Sequence, residues 1–125
     1  MTYKYKKQPT NRQLKVSELI RREIAMIFTT LEVYHPALED VPLTVIDVKT
    51  SADLKISTVF IHSIKPSIDD ELAKFLNFLA PEYKRKLTSR IKLKYIPIIR
   101  FIVDKNIDKK ISMEKVLQEV LFNDR

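Results

Sequence analysis

The fold is decided by residues 71–103, which read ELAKFLNFLAPEYKRKLTSRIKLKYIPIIRFIV. Apolar residues recur there at helical spacing, first before Ala80-Pro81 and again after it. The first stripe is Leu72, Phe75, Leu76 and Leu79, and the second is Tyr83, Leu87 and Ile91. Proline suits the first position of a helix and biases the preceding residue away from helical geometry, because its φ is fixed and it has no N–H. The pattern therefore predicts two short helices with a bend at Ala80-Pro81.

The second predicted helix and the segment after it are strongly basic. Residues 82–103 contain one acidic side chain, Glu82, and seven basic side chains. The basic residues are Lys84, Arg85, Lys86, Arg90, Lys92, Lys94 and Arg100. A surface with this excess of positive charge suits a polyanionic ligand.

The composition is that of one domain of ordinary size, since 125 residues with 45% hydrophobic content can form a core without cross-links. The absence of cysteine excludes disulfides and thiolate zinc sites. The absence of glycine excludes the glycine-rich loops that bind nucleotide phosphates. The apolar runs are far shorter than the ~20 residues of a membrane span, and the N-terminal stretch lacks a hydrophobic signal region. We therefore expect a soluble, cytoplasmic protein.

The whole chain carries a formal net charge of +7, and its pI is about 9.6. Nucleic acid and an anionic membrane face are both partners that such a charge suits. The lysine-rich composition that AT-rich genomes encode would also explain it. Charge alone does not choose among these three interpretations.

Side chains that could carry catalysis are sparse. His35 and His62 lie in different predicted elements, and neither has a serine or an acid nearby at a spacing that suggests a triad or a metal site. Asp69, Asp70 and Glu71 are explained by the first turn of a helix, where negative charge complements the helix dipole. We expect no enzyme activity, catalytic residue, metal site, cofactor or small-molecule substrate.

The N-terminal half predicts a helix followed by a hairpin. Thr10 and Gln13 have the spacing of a capping box, which begins a helix over residues 11–31. Runs of β-branched residues predict strands at 43–49 and 56–64. Because only a short turn separates them, we expect these two strands to pair as an antiparallel hairpin.

The C-terminal half completes an α+β pattern around residues 71–103. Ser67 is a candidate cap for the helix that begins this stretch. Residues 94–103 have the composition of a strand, and Pro97 predicts a bulge or an irregular start there. Ser112 can cap a final short helix. The order of elements predicts a sandwich with helices on one face of a three-stranded sheet.

Four motifs, in order along the chain, carry a family resemblance. They are LIRREIA at residues 19–25, SADL at 51–54, LN at 76–77, and RIKLKYIP at 90–97 ending in Arg100-Phe101. Together with the element order, this set resembles the ribosome-binding factor A family over residues 12–121. The resemblance implies a type II KH-like domain at residues 11–104. The basic, aperiodic N-terminal stretch predicts a flexible arm at 1–10, and residues 105–125 are predicted to form a linker and the short final helix.

The resemblance also implies a function. It points to a non-enzymatic assembly factor that binds the free small (30S) ribosomal subunit or its precursor and assists late maturation and processing of 16S rRNA. A monomer with no membrane partner is expected. Two alternatives stay open: a general RNA-binding KH-like module without a ribosome-specific role, and a protein-interaction domain whose charge is incidental.

This chain departs from the family pattern at the bend between the helices. KH domains that bind single-stranded RNA have a GXXG loop between their two helices, and the resembled family has an Ala-X-Gly kink there instead. At the matching positions this chain has Leu79, Ala80 and Pro81. Proline keeps a bend by another route, but it lacks the N–H that could meet a phosphate. Side-chain charge and surface shape must therefore carry more of any RNA binding. Thr58 also stands where the family often has a basic residue.

Basic side chains are the predicted RNA contacts. They are Lys84, Arg85, Lys86, Arg90, Lys92 and Lys94, with Arg21 and Arg22 of the first helix. Such cations contact phosphates, which position a protein without reading bases. Because three successive helical residues span about 200°, Lys84, Arg85 and Lys86 cannot all face one ligand, and we favour the group that includes Lys86, Arg90 and Lys94. For Arg21 and Arg22, a solvated face with local ion pairs is the alternative.

Overall fold

The computed structural model describes residues 8–38, 41–63 and 69–103. In order, the elements of this part are helix α1 (Asn11–Thr30), a 3-10 turn (Pro36–Leu38), strands β1 (Leu43–Thr50) and β2 (Ile56–Ser63), helix α2 (Asp69–Arg90) and strand β3 (Ile98–Val103). The predicted α+β class and the hairpin are confirmed, since β1 and β2 are antiparallel in a three-stranded sheet. The predicted helix start at Ser67, the final helix from Ser112 and most of the N-terminal arm lie outside the described residues.

Helix α1 begins at the predicted capping box. The N–H of Gln13 donates to Thr10 Oγ1 at 3.1 Å, and the N–H of Thr10 donates to Gln13 Oε1 at 2.8 Å. The helix ends at Leu31, which has left-handed backbone angles (φ 54°, ψ 38°) and donates its N–H to Ile27 O. Glycine usually takes such a position because it has no Cβ, and this glycine-free chain uses leucine instead.

Strand β1 contains a bulge that its sequence requires. The register shifts between Val45 and Asp47, which makes Ile46 the extra residue. Regular alternation would place Val45 and Val48 on opposite faces of the sheet, because they are three residues apart. The bulge shifts the alternation by one residue, so that Val48 lies in the core and Val45 packs against it.

One helix occupies the region where two are predicted. α2 is continuous from Asp69 to Arg90 and contains Pro81, so the prediction of two separate helices is wrong. The buried residues form one helical series across the proline: Leu72, Leu76, Leu79, Ala80, Tyr83 and Leu87. Both halves therefore face the same sheet, and a break would turn one of them away. The helix accommodates Pro81 at the loss of one hydrogen bond to the carbonyl of Asn77.

The core lies between the two helices and one face of the sheet. α1 contacts β1, α2 contacts β3, and strand order is β1-β2-β3, with β2 and β3 parallel. Tyr83 of α2 packs edge-on against Phe28 of α1 at 5.5 Å between ring centroids, and against Phe101 of β3 at 5.1 Å. Strand β3 begins directly after Pro97, so the irregular start predicted there is confirmed, but residues 94–97 of the predicted strand lie outside it.

Candidate nucleic-acid interface

The predicted cations of α2 do not share one surface. Lys84, Arg85 and Lys86 are successive residues of one helix, so their side chains point about 100° apart. Arg85 is ion-paired with Glu82, one turn earlier on the same helix. Lys86 lies on the side that faces the end of α1, close enough to Glu32 to interact with its charge. These three residues spread positive charge around the helix.

Arg90 is partly buried and ion-paired within the fold. Its Nε donates to Glu23 Oε1 at 3.0 Å, its Nη1 donates to Glu32 Oε2 at 2.5 Å, and its side chain is 26% exposed. Hydrogen bonding to Glu23 raises the pKa of Arg90. The hydrogen bond from the Thr30 hydroxyl lowers the pKa of Glu32, and the positive charge of Arg90 acts in the same direction. Arg90 therefore joins the end of α2 to α1, and two carboxylates already balance its charge.

The two predicted arginines of α1 differ from each other. Arg21 makes a two-pronged contact with Glu18, with Nε to Oε2 at 2.9 Å and Nη2 to Oε1 at 2.6 Å. This contact lowers the pKa of the Glu18 carboxyl. Arg22 is exposed, and it has no ion pair with another described residue. Arg21 therefore forms the local ion pair that was the alternative to an RNA contact. For Arg22, an RNA contact stays a prediction.

The segment between α2 and β3 displays Lys92 and Lys94 on the surface. Its inward-facing residues are Ile91, Leu93, Ile96 and Pro97. Its outward-facing residues are Lys92, Lys94 and Tyr95, which lie in what we call the basic loop, residues 92–95. Within the described ranges neither lysine has an ion-pair partner. The Nζ of Lys94 lies 5.5 Å from the centroid of the Tyr95 ring.

The sheet face opposite the helices carries a further cation, Arg100 of β3. Arg100 is opposite Thr58 in the register of β3 and β2, and its Nη2 donates to Thr58 Oγ1 at 3.0 Å. Arg100 therefore places a positive charge next to the position where the family often has a basic residue. On the same face, Ile56 and Ile98 are paired and are 39% and 58% exposed.

Two further residues that the structure displays were not among the predicted contacts, Tyr95 and Arg100. Tyr95 is 77% exposed and follows Lys94 directly. Its signal in the sequence is an aromatic residue within a basic segment, a combination that is typical of proteins that bind single-stranded nucleic acid. Arg100 appears in the sequence as one base among seven, and only the strand register shows what lies beside it.

Other kinds of site find no support among the described residues. No group of three or more histidine, aspartate or glutamate side chains in this part of the chain is arranged to hold a metal ion. Neither described helix is long and apolar enough to cross a membrane.

Two helices on one face of a three-stranded sheet, with cations displayed just before the third strand, define a small α+β domain of KH-like architecture. The chain belongs to the ribosome-binding factor A family, whose family model matches residues 12–117. The resemblance seen in the four motifs is confirmed by this match.

Individual relatives agree in sequence and in fold. Ribosome-binding factor A of Nitrobacter winogradskyi is 36% identical over 113 residues, which cover 87% of this chain and 80% of that protein. The crystal structure of ribosome-binding factor A from Thermus thermophilus matches with a TM-score of 0.60 at 20% identity, over 73% of this chain and 94% of that chain. A homology model of the Thermus thermophilus factor, fitted into a cryo-EM map of its 30S complex, matches with a TM-score of 0.55 at 14% identity, over 78% and 96%. The two structural likenesses show the fold.

Proposed function

We propose that this protein binds the free small (30S) ribosomal subunit or its precursor and assists late maturation and processing of 16S rRNA. Membership of the ribosome-binding factor A family supports this proposal. A relative of the same fold, the Thermus thermophilus factor, has been fitted into the map of a 30S complex. The protein would act without catalysing a reaction, as a cytoplasmic monomer, by occupying a maturing region of the subunit and then leaving it.

The observation that carries the proposal is the basic loop. Lys92 and Lys94 have no ion-pair partner in the described part of the chain, whereas Arg21, Arg85 and Arg90 are paired within the fold. An unpaired surface cation can exchange its counterions for RNA phosphates without first breaking an internal ion pair. We therefore propose that Lys92 and Lys94 make the main phosphate contacts, with Lys84, Lys86 and Arg22 in supporting positions.

Co-sedimentation tests the proposal. The purified protein is mixed with precursor small subunits, mature small subunits and intact ribosomes, each at low and at physiological salt. We expect a preference for free small subunits, strongest for the precursors, that persists at physiological salt. Equal binding to all three that disappears with salt would indicate a general RNA-binding module and overturn the ribosome-specific role.

A matched pair of variants tests the basic loop. K92E/K94E reverses both loop charges, and K15E/K74E reverses two exposed lysines on the helices, so both variants change the net charge equally. We expect K92E/K94E to lose small-subunit binding at physiological salt and K15E/K74E to keep most of it. Equal losses would mean that binding depends on net charge alone. Unchanged binding by both variants would favour a protein-interaction domain whose charge is incidental.

A further inference from the structure

The basic loop presents an aromatic ring to solvent. Tyr95 is 77% exposed, whereas Tyr83 is 1% exposed in the core. Burying an aromatic side chain removes a large apolar area from water and is a main source of folding and binding energy. The fold leaves that area unused at Tyr95, so it is available to a ligand.

The loop holds this ring on a fixed backbone. At one end, the N–H of Ile91 donates to Leu87 O at 2.8 Å, and at the other end the N–H of Ile98 donates to Lys55 O at 2.8 Å. Between these points, Leu93 and Ile96 pack against the core. A ligand that binds Tyr95 therefore does not have to order the loop, which reduces the entropy cost of binding.

A lysine ammonium lies beside the ring, and a second exposed lysine is close in the chain. Lys94 directly precedes Tyr95 in the chain, and its ammonium lies 5.5 Å from the ring centroid. Lys92, three residues before Tyr95, is also exposed. An ammonium can cover only one face of a ring, so the other face is open to a flat partner. A flat aromatic group linked to phosphates is the chemistry of a nucleotide, and aromatic side chains flanked by cations bind single strands in this way.

We propose that Tyr95 stacks on an unpaired base of the bound RNA while Lys92 and Lys94 contact the adjacent phosphates. This inference rests on the proposed function only in that it takes RNA as the ligand. A base within a duplex already stacks on both neighbours, so the site selects an unpaired nucleotide in a loop, a bulge or a strand end. Stacking accepts any base, so the site selects single-stranded character and reads no sequence.

Fluorescence anisotropy with short labelled RNAs tests the inference. The probes are a single strand of about ten nucleotides, the same strand with its central bases removed to leave abasic sites, and the corresponding duplex. The variants are Y95A and Y95F, with F78A as the matched control, because Phe78 is an exposed aromatic residue (79%) on α2. Unchanged midpoints of urea unfolding establish that each variant keeps the fold.

We expect Y95A to bind the single strand roughly tenfold more weakly than the wild type, because the loss of one base–aromatic stacking contact lowers the affinity by about this factor. Y95F should bind it like the wild type, since stacking does not use the hydroxyl group. F78A should also bind it like the wild type, because Phe78 lies outside the basic loop. On the abasic strand the wild type and Y95A should be equal. The dependence of affinity on salt should be the same for Y95A and the wild type, because the phosphate contacts remain.

The inference is overturned if Y95A binds the single strand as well as the wild type, if it loses as much on the abasic strand, or if the wild type binds no single strand at low salt. It is also overturned if Y95A weakens small-subunit binding but not oligonucleotide binding, because Tyr95 would then contact a ribosomal protein. Its failure is separate from that of the proposed function. If Y95A weakened binding to the single strand but the wild type did not bind the small subunit, the stacking site would be supported and the proposed ribosomal function would be wrong.

Discussion

The side-chain amide of Asn77 on α2 makes two hydrogen bonds with the backbone of Phe101 on β3. Its Nδ2 donates to the Phe101 carbonyl at 2.8 Å, and its Oδ1 accepts from the Phe101 N–H at 2.8 Å. β3 lies at one end of the strand order, and the amide satisfies backbone groups there as a neighbouring strand would. The contact therefore fixes α2 against the strand that follows the basic loop.

Asn77 should be more important for stability than its exposed position on a helix suggests. We expect N77A to lower the free energy of unfolding by about 1–3 kcal/mol, because both backbone groups of Phe101 lose their partners. N77D should be at least as unfavourable, since a carboxylate cannot donate to the Phe101 carbonyl. Urea unfolding followed by circular dichroism measures the change.

S89A is the matched control for Asn77 variants. Ser89 lies on the same helix and its hydroxyl donates only to a local carbonyl, that of Lys86, at 2.7 Å. Its loss should change the free energy of unfolding by less than about 0.5 kcal/mol. Equal effects of N77A and S89A would show that the contact with Phe101 contributes nothing to stability.

The sequence predicts the class of fold but not the continuity of α2. Pro81 indicates a helix boundary because an interior proline costs about 3 kcal/mol. Full burial of a leucine contributes roughly 2 kcal/mol, and Leu76 and Leu87, one on each side of the proline, are fully buried. Packing along both halves exceeds the local penalty. Local sequence propensities do not show that packing exceeds the proline penalty, because they do not include the sheet against which the helix packs.

At the candidate site too, the sequence does not show the contacts that residues make with distant parts of the chain. The sequence locates every basic residue, and the loop cations Lys92 and Lys94 are exposed as expected. It does not show that Arg90 is paired, because the partners Glu23 and Glu32 precede it by 67 and 58 residues. The charge of a residue is evident from the sequence, whereas its neutralisation depends on which residues the fold brings next to it.

A buried chain of hydroxyl groups links α1 to the hairpin and gives the second prediction. Ser17 Oγ donates to Thr50 Oγ1 at 2.8 Å, and Thr50 Oγ1 lies 2.8 Å from Ser57 Oγ. All three residues are buried. We expect T50V to lower the free energy of unfolding by about 1–3 kcal/mol, because the hydroxyls of Ser17 and Ser57 each lose a partner in the interior.

The control for T50V is T44V, a substitution of the same kind at an exposed position of β1. It should change stability by less than about 0.5 kcal/mol. The triple variant S17A/T50V/S57A should recover part of the loss of T50V, because removing all the polar partners leaves none of these hydroxyls unsatisfied. If T50V cost no more than T44V in urea unfolding, the hydroxyl chain would have no stabilising role.

Arg90 gives the third prediction, which separates stability from RNA binding. We expect R90A to lower the urea midpoint, because Glu23 and Glu32 would be left close together without the cation that joins them. R85A should leave the midpoint nearly unchanged, since the Arg85 side chain is 71% exposed and exposed ion pairs contribute little. Both variants remove one arginine from α2, so they change the net charge equally.

RNA binding measured on the same proteins completes this test. Where R90A is still folded, it should bind RNA about as well as R85A does. If R90A kept the wild-type midpoint and lost RNA binding, Arg90 would be an interface residue and its ion pairs would be incidental. K92E/K94E should show the opposite behaviour, with an unchanged midpoint and weaker binding.

The left-handed residue at the end of α1 gives the last prediction. Leu31 has a φ of 54°, which brings its Cβ close to the backbone, and its side chain is 40% exposed. We expect L31G to raise the free energy of unfolding by about 0.5–1 kcal/mol, because relief of the steric cost exceeds the added entropy of the unfolded chain. A25G, in the interior of the same helix, should instead lower it by about 1 kcal/mol. Thermal and urea unfolding of the two variants should therefore shift in opposite directions, and a loss in both would mean that the backbone at Leu31 is unstrained.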